Sequence, residues 1–340
     1  MIGGPLVRNR LSKLRDHEWS VLERALVIAS LAIVLGALFV TSYSLALGDP
    51  VPHDIDAALV GGPTSQARTT EGQARTLKAV QRVAEGSLVF HDYASVPAAL
   101  DALAEEEVYT VLDLTSVRPT LYLASAAGAS VARVLEQIAV SDPTVRVVDA
   151  HPLGPHDPNG VEIFYLMLVS TIVGFITVFQ VRAQAAGLRL HHWSAFIVGL
   201  AVVASLVFAL VEGPLLDRLD LPVLEAWGIL ALQLLAVSSF ASLMLVLIGR
   251  WALIPTWIFF VILGNSSSGG AVAPPLLPAP FDFVSQWLPS GATVTALREA
   301  VYFPSHQHVH PIAVLATWAL GLFVAMLVVS RLLGRNPGVA

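Results

Sequence analysis

Two patterns of apolar and polar positions alternate along this chain. Long apolar runs occupy residues 25–47, 163–181, 195–211, 223–248 and 312–329, close to the roughly 17–25 residues a membrane-spanning helix needs. A sixth run, 251–264, is shorter, covering only about 21 Å as a helix. Between the first two runs the hydropathy falls and the pattern changes. Short β-rich runs at 57–60, 88–91, 108–112, 120–123 and 145–148 alternate with helical runs at 73–85, 96–106 and 130–140, and Ser95 before Pro97 marks a helix start. About 110 residues suffice for one small folded core. The pattern therefore predicts a polytopic α-helical membrane protein with six transmembrane helices and an α/β extracytoplasmic domain inserted between helices 1 and 2.

Composition supports the membrane class. Of 340 residues, 55% are hydrophobic and 13% charged, about half the charge of a typical soluble domain. The first run also ends in small residues, Ser44 and Ala46, like a cleaved signal peptide, but it exceeds the roughly 7–15-residue apolar core of such signals. The chain has no cysteine, which excludes disulfides, thiolate catalysis and zinc–thiolate sites. Its net charge is −6 and no basic cluster is present, so no nucleic-acid partner is expected.

Basic residues near the ends of short loops set orientation. Arg8, Arg10, Lys13, Arg15 and Arg24 precede the first run, Arg182 and Arg189 lie between the second and third, Arg250 follows the fourth, and Arg331 and Arg335 follow the last. Six alternating spans put all of these on one side, with both termini cytoplasmic in a plasma membrane and residues 48–160 outside. The division is then a cytoplasmic amphipathic segment 1–24, a transmembrane helix 25–47, the external domain 48–160, a five-helix membrane domain 161–335 with a re-entrant or outer-gate segment 264–303, and a tail 336–340.

Candidate chemistry is sparse. No G-x-x-x-x-G-K-[ST] occurs, so the chain carries no P-loop of its own. Glu162, Glu212 and Glu225 sit at the outer ends of their runs, and the run interiors hold only neutral polar residues such as Gln233, Ser238 and Ser239. That argues against a proton pump, which places ionisable groups at mid-depth. Glu105, Glu106 and Glu107 read as a solvated helix end. His53, His91, His151 and His156 lack metal-ligand spacing, and no G-x-S-x-G elbow occurs. His306, His308 and His310 share a face if extended, without an evident fourth ligand. The expectation is a non-enzyme with no catalytic residue, metal or cofactor of its own.

The most informative stretch is 251–302. The short apolar run gives way to Gly264-Asn265-Ser266-Ser267-Ser268-Gly269-Gly270, then to prolines 274, 275, 278 and 280, then to an amphipathic section with Trp287 and Arg298. Unpaired backbone cannot face lipid, so this piece is buried in protein, lines a wet cavity, or lies at the outer surface. Two readings stay open, a re-entrant outer gate or an external loop anchored by interfacial Trp287 and Tyr302.

The runs G-N-S-S-S-G-G-A-V-A-P-P-L-L-P at 264–278, W-L-P-S-G-A-T-V-T-A-L-R-E-A-V-Y-F at 287–303 and H-P-L-G-P-H-D-P-N-G at 151–160, together with one span, an external insertion and five further spans, resemble type-2 ABC transporter permeases, in the actinobacterial branch akin to phage-infection-protein-like membrane proteins. The resemblance implies a homodimeric permease subunit, with ATP and Mg held by a separate ABC ATPase. It further implies that Arg182, Gln184, Arg189, His191 and His192, between the second and third runs, dock on that ATPase. Asn265, Ser266, Ser267, Ser268, Gly269, Gly270, Trp287 and Arg298 would border the transport path or outer gate. The rival reading is a non-transporting interaction or assembly protein whose external domain binds a cell-envelope component or phage.

Overall fold

The structure, a computed structural model, describes residues 21–48, 52–62, 71–83, 86–116, 118–141 and 143–339. Most of the amphipathic segment expected at 1–24 lies outside them. The chain divides between Thr41 and Ser42 into two units, and the described part of the first is helix. That helix, α1, runs Val21–Leu47. Within the second unit, β1 (Ile55–Val60), α2 (Glu71–Val83), β2 (Leu88–Tyr93), α3 (Val96–Ala104), β3 (Thr110–Asp113), β4 (Thr120–Leu123), α4 (Ala129–Ser141) and β5 (Arg146–Asp149) follow in order.

The five strands form one sheet in the order β2-β1-β3-β4-β5, parallel except that β4 runs antiparallel to β3. Strand periodicity sorts the side chains. Ile55, Ala57 and Leu59 join Leu112, Leu121 and Leu123 on one face under Val80 of α2 and Val131 and Leu135 of α4. Ala58, Val60 and Val111 face the other way, under Ala99, Ala102 and Leu103 of α3. Helices on both faces explain why several strands are apolar at consecutive positions. Helix α3 starts where the sequence predicts, with Ser95 Oγ accepting the Ala98 amide and a proline in the first turn.

The remaining helices are α5 (Glu162–Gln184), α6 (Leu190–Leu210), α7 (Val223–Ile248), α8 (Leu253–Thr256), α9 (Ala279–Ser285), α10 (Pro289–Tyr302) and α11 (Val309–Leu333). Helix α6 continues as a π-turn, Val211–Leu215, around Pro214, and α8 continues as a π-helix, Trp257–Asn265. The apolar part of α1, α5, α6 with its π-turn, α7, and α11 are long and apolar enough to cross a membrane, five candidates in all. The chain is in this sense a polytopic helical membrane protein. The sixth apolar segment, Leu253–Asn265, is shorter than the other five. Asp157, almost fully buried, caps α5 from four and five residues upstream by accepting the Val161 and Glu162 amides. Burial pushes its carboxyl up, and those amides oppose the shift.

Candidate functional site: the joint between the sheet domain and the helices

Helix α7 is the centre of the helical layer. Its buried side carries Gln233, Ser238, Ser239 and Ser242; neighbouring helices meet Gln233, Ser238 and Ser242, whereas the buried Ser239 hydroxyl has no hydrogen-bond partner. Gln233 donates through Nε2 to Thr171 Oγ1 of α5 at 3.0 Å and accepts from Thr293 Oγ1 of α10 at 3.1 Å. Trp193 Nε1 of α6 donates to Ser242 Oγ at 2.9 Å, and Ser238 Oγ donates to the Gly174 carbonyl. In hydrocarbon these groups have no water to fall back on, so each helix meets α7 in a defined register.

The segment after Asn265 is folded inside the protein. Asn265, Ser266, Ser267 and Ser268 are at most 3% exposed. The serine hydroxyls return to the carbonyls of the turn before them, Ser267 Oγ to Leu263 O at 2.7 Å and Ser268 Oγ to Asn265 O at 2.9 Å, and Ser42 Oγ donates to Ile262 O. Asn265 lies beside the Tyr43 hydroxyl. Gly269 has φ +73°, and a Cβ on Gly270 would stand 2.9 Å from the Phe164 side chain, so both glycines are required by the path of the backbone.

Beyond Gly270 the chain enters the sheet domain. Ala273 N donates to Ser130 Oγ, and Ala273 and Leu276 complete the apolar face under α2 and α4. The chain then turns back as α9, reaches Trp287, and returns as α10. At that turn the Trp287 ring lies 5.3 Å from His310 and its carbonyl accepts Trp318 Nε1, so the turn sits level with the first turns of α11. Trp287 itself is 54% exposed. Helix α10 ends with Phe303 inserted into the other apolar face of the sheet domain, 5.1 Å from the His151 ring. The helical layer thus contributes core residues to both faces of the sheet. A small cleft of about 20 Å³, lined by Gly128, Ser130, Asn159, Gly270, Arg298 and Tyr302, marks the join.

Charges gather beside it. Arg298 Nη2 donates to the Gly269 carbonyl at 2.8 Å. The next residue, Glu299, has a side chain only 5% exposed; it accepts the His308 amide at 2.9 Å and lies 3.0 Å from His308 Nδ1. From the sheet domain comes the turn after α3, in which Glu106 adopts φ +55° and Glu105 lies 3.9 Å from His306 Nδ1. Burial pushes the Glu106 carboxyl up to about 7; Glu299 adds to the rise, and Arg298 and His308 oppose it. Burial likewise raises the Tyr109 hydroxyl. Of His306, His308 and His310, the first two engage different carboxylates and His310 meets the Trp287 ring edge-on. Among the described residues no group of three or more His, Asp or Glu is arranged to hold a metal.

At the opposite end of the helices lies the α5–α6 connection. Gln184 bonds Gln180, Arg189 begins α6, and the His191 and His192 rings are 3.9 Å apart. The chain's own C-terminal segment covers part of this loop. Gly187 N donates to Gly338 O at 2.9 Å, Arg182 Nη2 donates to Val339 O at 3.3 Å, and Gly338 approaches the Leu188 backbone too closely to bear a Cβ.

Two groups of sequence-selected residues are therefore far apart: Asn265–Gly270 with Arg298 at the sheet-domain joint, and Arg182–His192 with the C-terminal segment. Glu299, Thr171, Thr293 and Phe303 were not singled out from the sequence, although Thr293, Glu299 and Phe303 fall within the run 287–303. No family model, curated protein or solved structure matches the chain.

Proposed function

We propose that the chain is the membrane-embedded subunit of a type-2-like ABC exporter, moving an amphiphilic or hydrophobic cargo with energy from a separate ATPase. The observation that carries this reading is the broken segment Leu253–Asn265, an apolar helix that stops at Asn265 and continues as a buried neutral-polar turn and a returning α9–α10 hairpin. Interrupted helices of this kind mark substrate paths in membrane proteins. The polar seam on α7 contains hydroxyls and one amide but no charge, which suits a cargo without a strongly hydrated ionic group. The sequence lacks a P-loop, so the fuel would come from a partner, docked through Arg182, Gln184, Arg189, His191 and His192. Two copies would place the cargo path at their interface, in a plasma membrane with both termini cytoplasmic and residues 48–160 outside.

Copurification from native membranes tests the partner, and reconstitution tests the work. The expected result is an associated ATPase whose hydrolysis drives cargo movement, while the chain alone in vesicles is idle. Sustained uphill transport by the chain alone overturns the reading.

A second reading, an envelope-binding assembly protein, draws on the sealed state of Ser266–Ser268. There the turn is a fixed support for the sheet domain. An isolated 49–160 fragment would lose Ala273, Leu276 and Phe303 from its two cores, so the full chain is the form in which binding should be measured. Envelope binding that persists while Gly270→Val leaves cell-envelope export unaffected would favour this second reading.

A further inference from the structure

Helices α7 and α11 pack against each other, and a glycine closes each: Gly249 after α7 and Gly334, at φ +61°, after α11. Between the two ends lies an open cavity of about 350 Å³, lined by Leu245, Val246 and Gly249 on one side and Gly334, Arg335 and Asn336 on the other. The second wall is fixed in place. Arg335 N donates to Ser330 O, Val339 N to Asn336 O and Gly187 N to Gly338 O, and Pro337 and Gly338 are buried. The candidate spans containing α7 and α11 end at Trp251 and Leu333, so the cavity stands where hydrocarbon gives way to headgroups.

Charge at this end has one sign. Residues 182–192, 245–256 and 330–339 include Arg182, Arg189, Arg250, Arg331 and Arg335 and no aspartate or glutamate, in a chain whose net charge is −6. Positive residues beside spans set orientation, but orientation needs no cavity. Arg335 lines one, is exposed, and its guanidinium has no hydrogen-bond or ion-pair partner among the described residues. Apolar side chains adjoin it: Leu247 and Ile248 on α7 and Leu332 and Leu333 on α11 are exposed. Arg250 lies 5.2 Å over the ring of Trp251, an aromatic of the kind favoured at the membrane interface.

We propose that the cavity between the ends of α7 and α11 binds one anionic phospholipid, its phosphate held by Arg335 and its acyl chains lying along the exposed leucines and Ile248. A guanidinium offers phosphate paired N–H donors, and basic pockets between transmembrane helices take anionic headgroups. The helix ends narrow the choice of headgroup. Both present carbonyls and the negative end of the helix dipole, so a further negative charge is repelled while a hydroxyl finds an acceptor. Phosphatidylglycerol meets both conditions, with a single negative charge and free hydroxyls. Phosphatidylcholine has no net charge and no hydroxyl to donate. The segment that walls the cavity also covers Gly187 of the α5–α6 loop, so the lipid anchors that cover. The site requires only that α7 and α11 cross a membrane, and it is independent of the transport reading.

Native mass spectrometry of the full-length protein in detergent, with phosphatidylglycerol and phosphatidylcholine at equal concentration, tests the site. The wild type should retain one phosphatidylglycerol per chain with a preference of about tenfold. Arg335→Gln should abolish that preference. Arg250→Gln, which removes the same charge from the same end but outside the cavity lining, should keep it. Because Arg335 is exposed and unpartnered, its replacement leaves the fold intact. Thermal unfolding separates the lipid from its phosphate: phosphatidylglycerol should raise the melting temperature of the wild type, and inorganic phosphate or glycerol phosphate should not. Equal retention of the two lipids by the wild type, an unchanged preference in Arg335→Gln, an equal loss in both variants, or stabilisation by inorganic phosphate alone overturns the proposal.

Discussion

The sheet domain and the helical layer have opposite interiors. Between its faces the sheet domain encloses leucine, valine, isoleucine and alanine, and it leaves charged residues such as Asp101, Glu105 and Glu136 exposed. In the helical layer Gln233, Ser238, Ser239, Thr171 and Thr293 are fully buried, while Val203, Leu210, Leu320 and Val324 are exposed. Water drives the first arrangement by the ordinary hydrophobic effect. A hydrocarbon surrounding removes that drive between helices and leaves close packing and hydrogen bonds to specify contacts. The joint between them must satisfy both rules, and it does so with apolar plugs from one region inserted into the other, Phe303 on one face and Ala273 with Leu276 on the other.

Removing a plug should have the largest effect. Phe303→Ala empties a fully packed site and is expected to cost about 3–5 kcal/mol, read as a lowered melting temperature of the sheet domain. Next comes Gly270→Val, which drives a side chain into Phe164 and should cost about 1–3 kcal/mol by overpacking. Gly321→Ala, with nothing within 4 Å of the added carbon, is the matched control and should leave unfolding in detergent unchanged. Gln233→Leu probes the polar interior itself. It removes two interhelical hydrogen bonds, and a loss of about 0.6–2 kcal/mol in detergent unfolding is expected. The smallest effect is a pH dependence at His151. Burial against Phe303 lowers its pKa below 6.5, so its contribution is present above the ordinary value and fades as pH falls through the lowered one. Nuclear magnetic resonance titration of the ring reads this directly, and Phe303→Ala should return it towards 6.5.

These differences also explain what the sequence discloses and what it conceals. Long apolar runs locate helices by composition alone, and α7 at Val223–Ile248 coincides with the run read from the sequence. Strand β4 at Thr120–Leu123 does too, because flanking turns delimit a short apolar stretch. Helix α3 ends at Ala104, before Glu106, because the chain turns left-handed there; helix propensity alone carries Glu105 and Glu106 onward. The broken segment was visible as a glycine- and serine-rich interruption. Its partners were not, since Ser130, Phe164 and Ser42 are common residue types brought together only by tertiary structure. Glu299 was invisible for the same reason: its enclosure depends on His308 across the turn from α10 to α11. The covering of Gly187 by Gly338 likewise joins distant parts of the chain through backbone atoms, which carry no sequence signal.

The central claim is that the sheet domain and the α5–α6 loop lie on opposite faces of a membrane, separated by a helical layer with a polar interior. Single cysteines at Asp101 and at Arg189, introduced into a chain with none of its own, can be tested with a membrane-impermeant maleimide on intact cells and on inverted vesicles. The account predicts labelling of Asp101→Cys only from outside intact cells and of Arg189→Cys only from the exposed face of inverted vesicles. Labelling of both positions from the same face would contradict it.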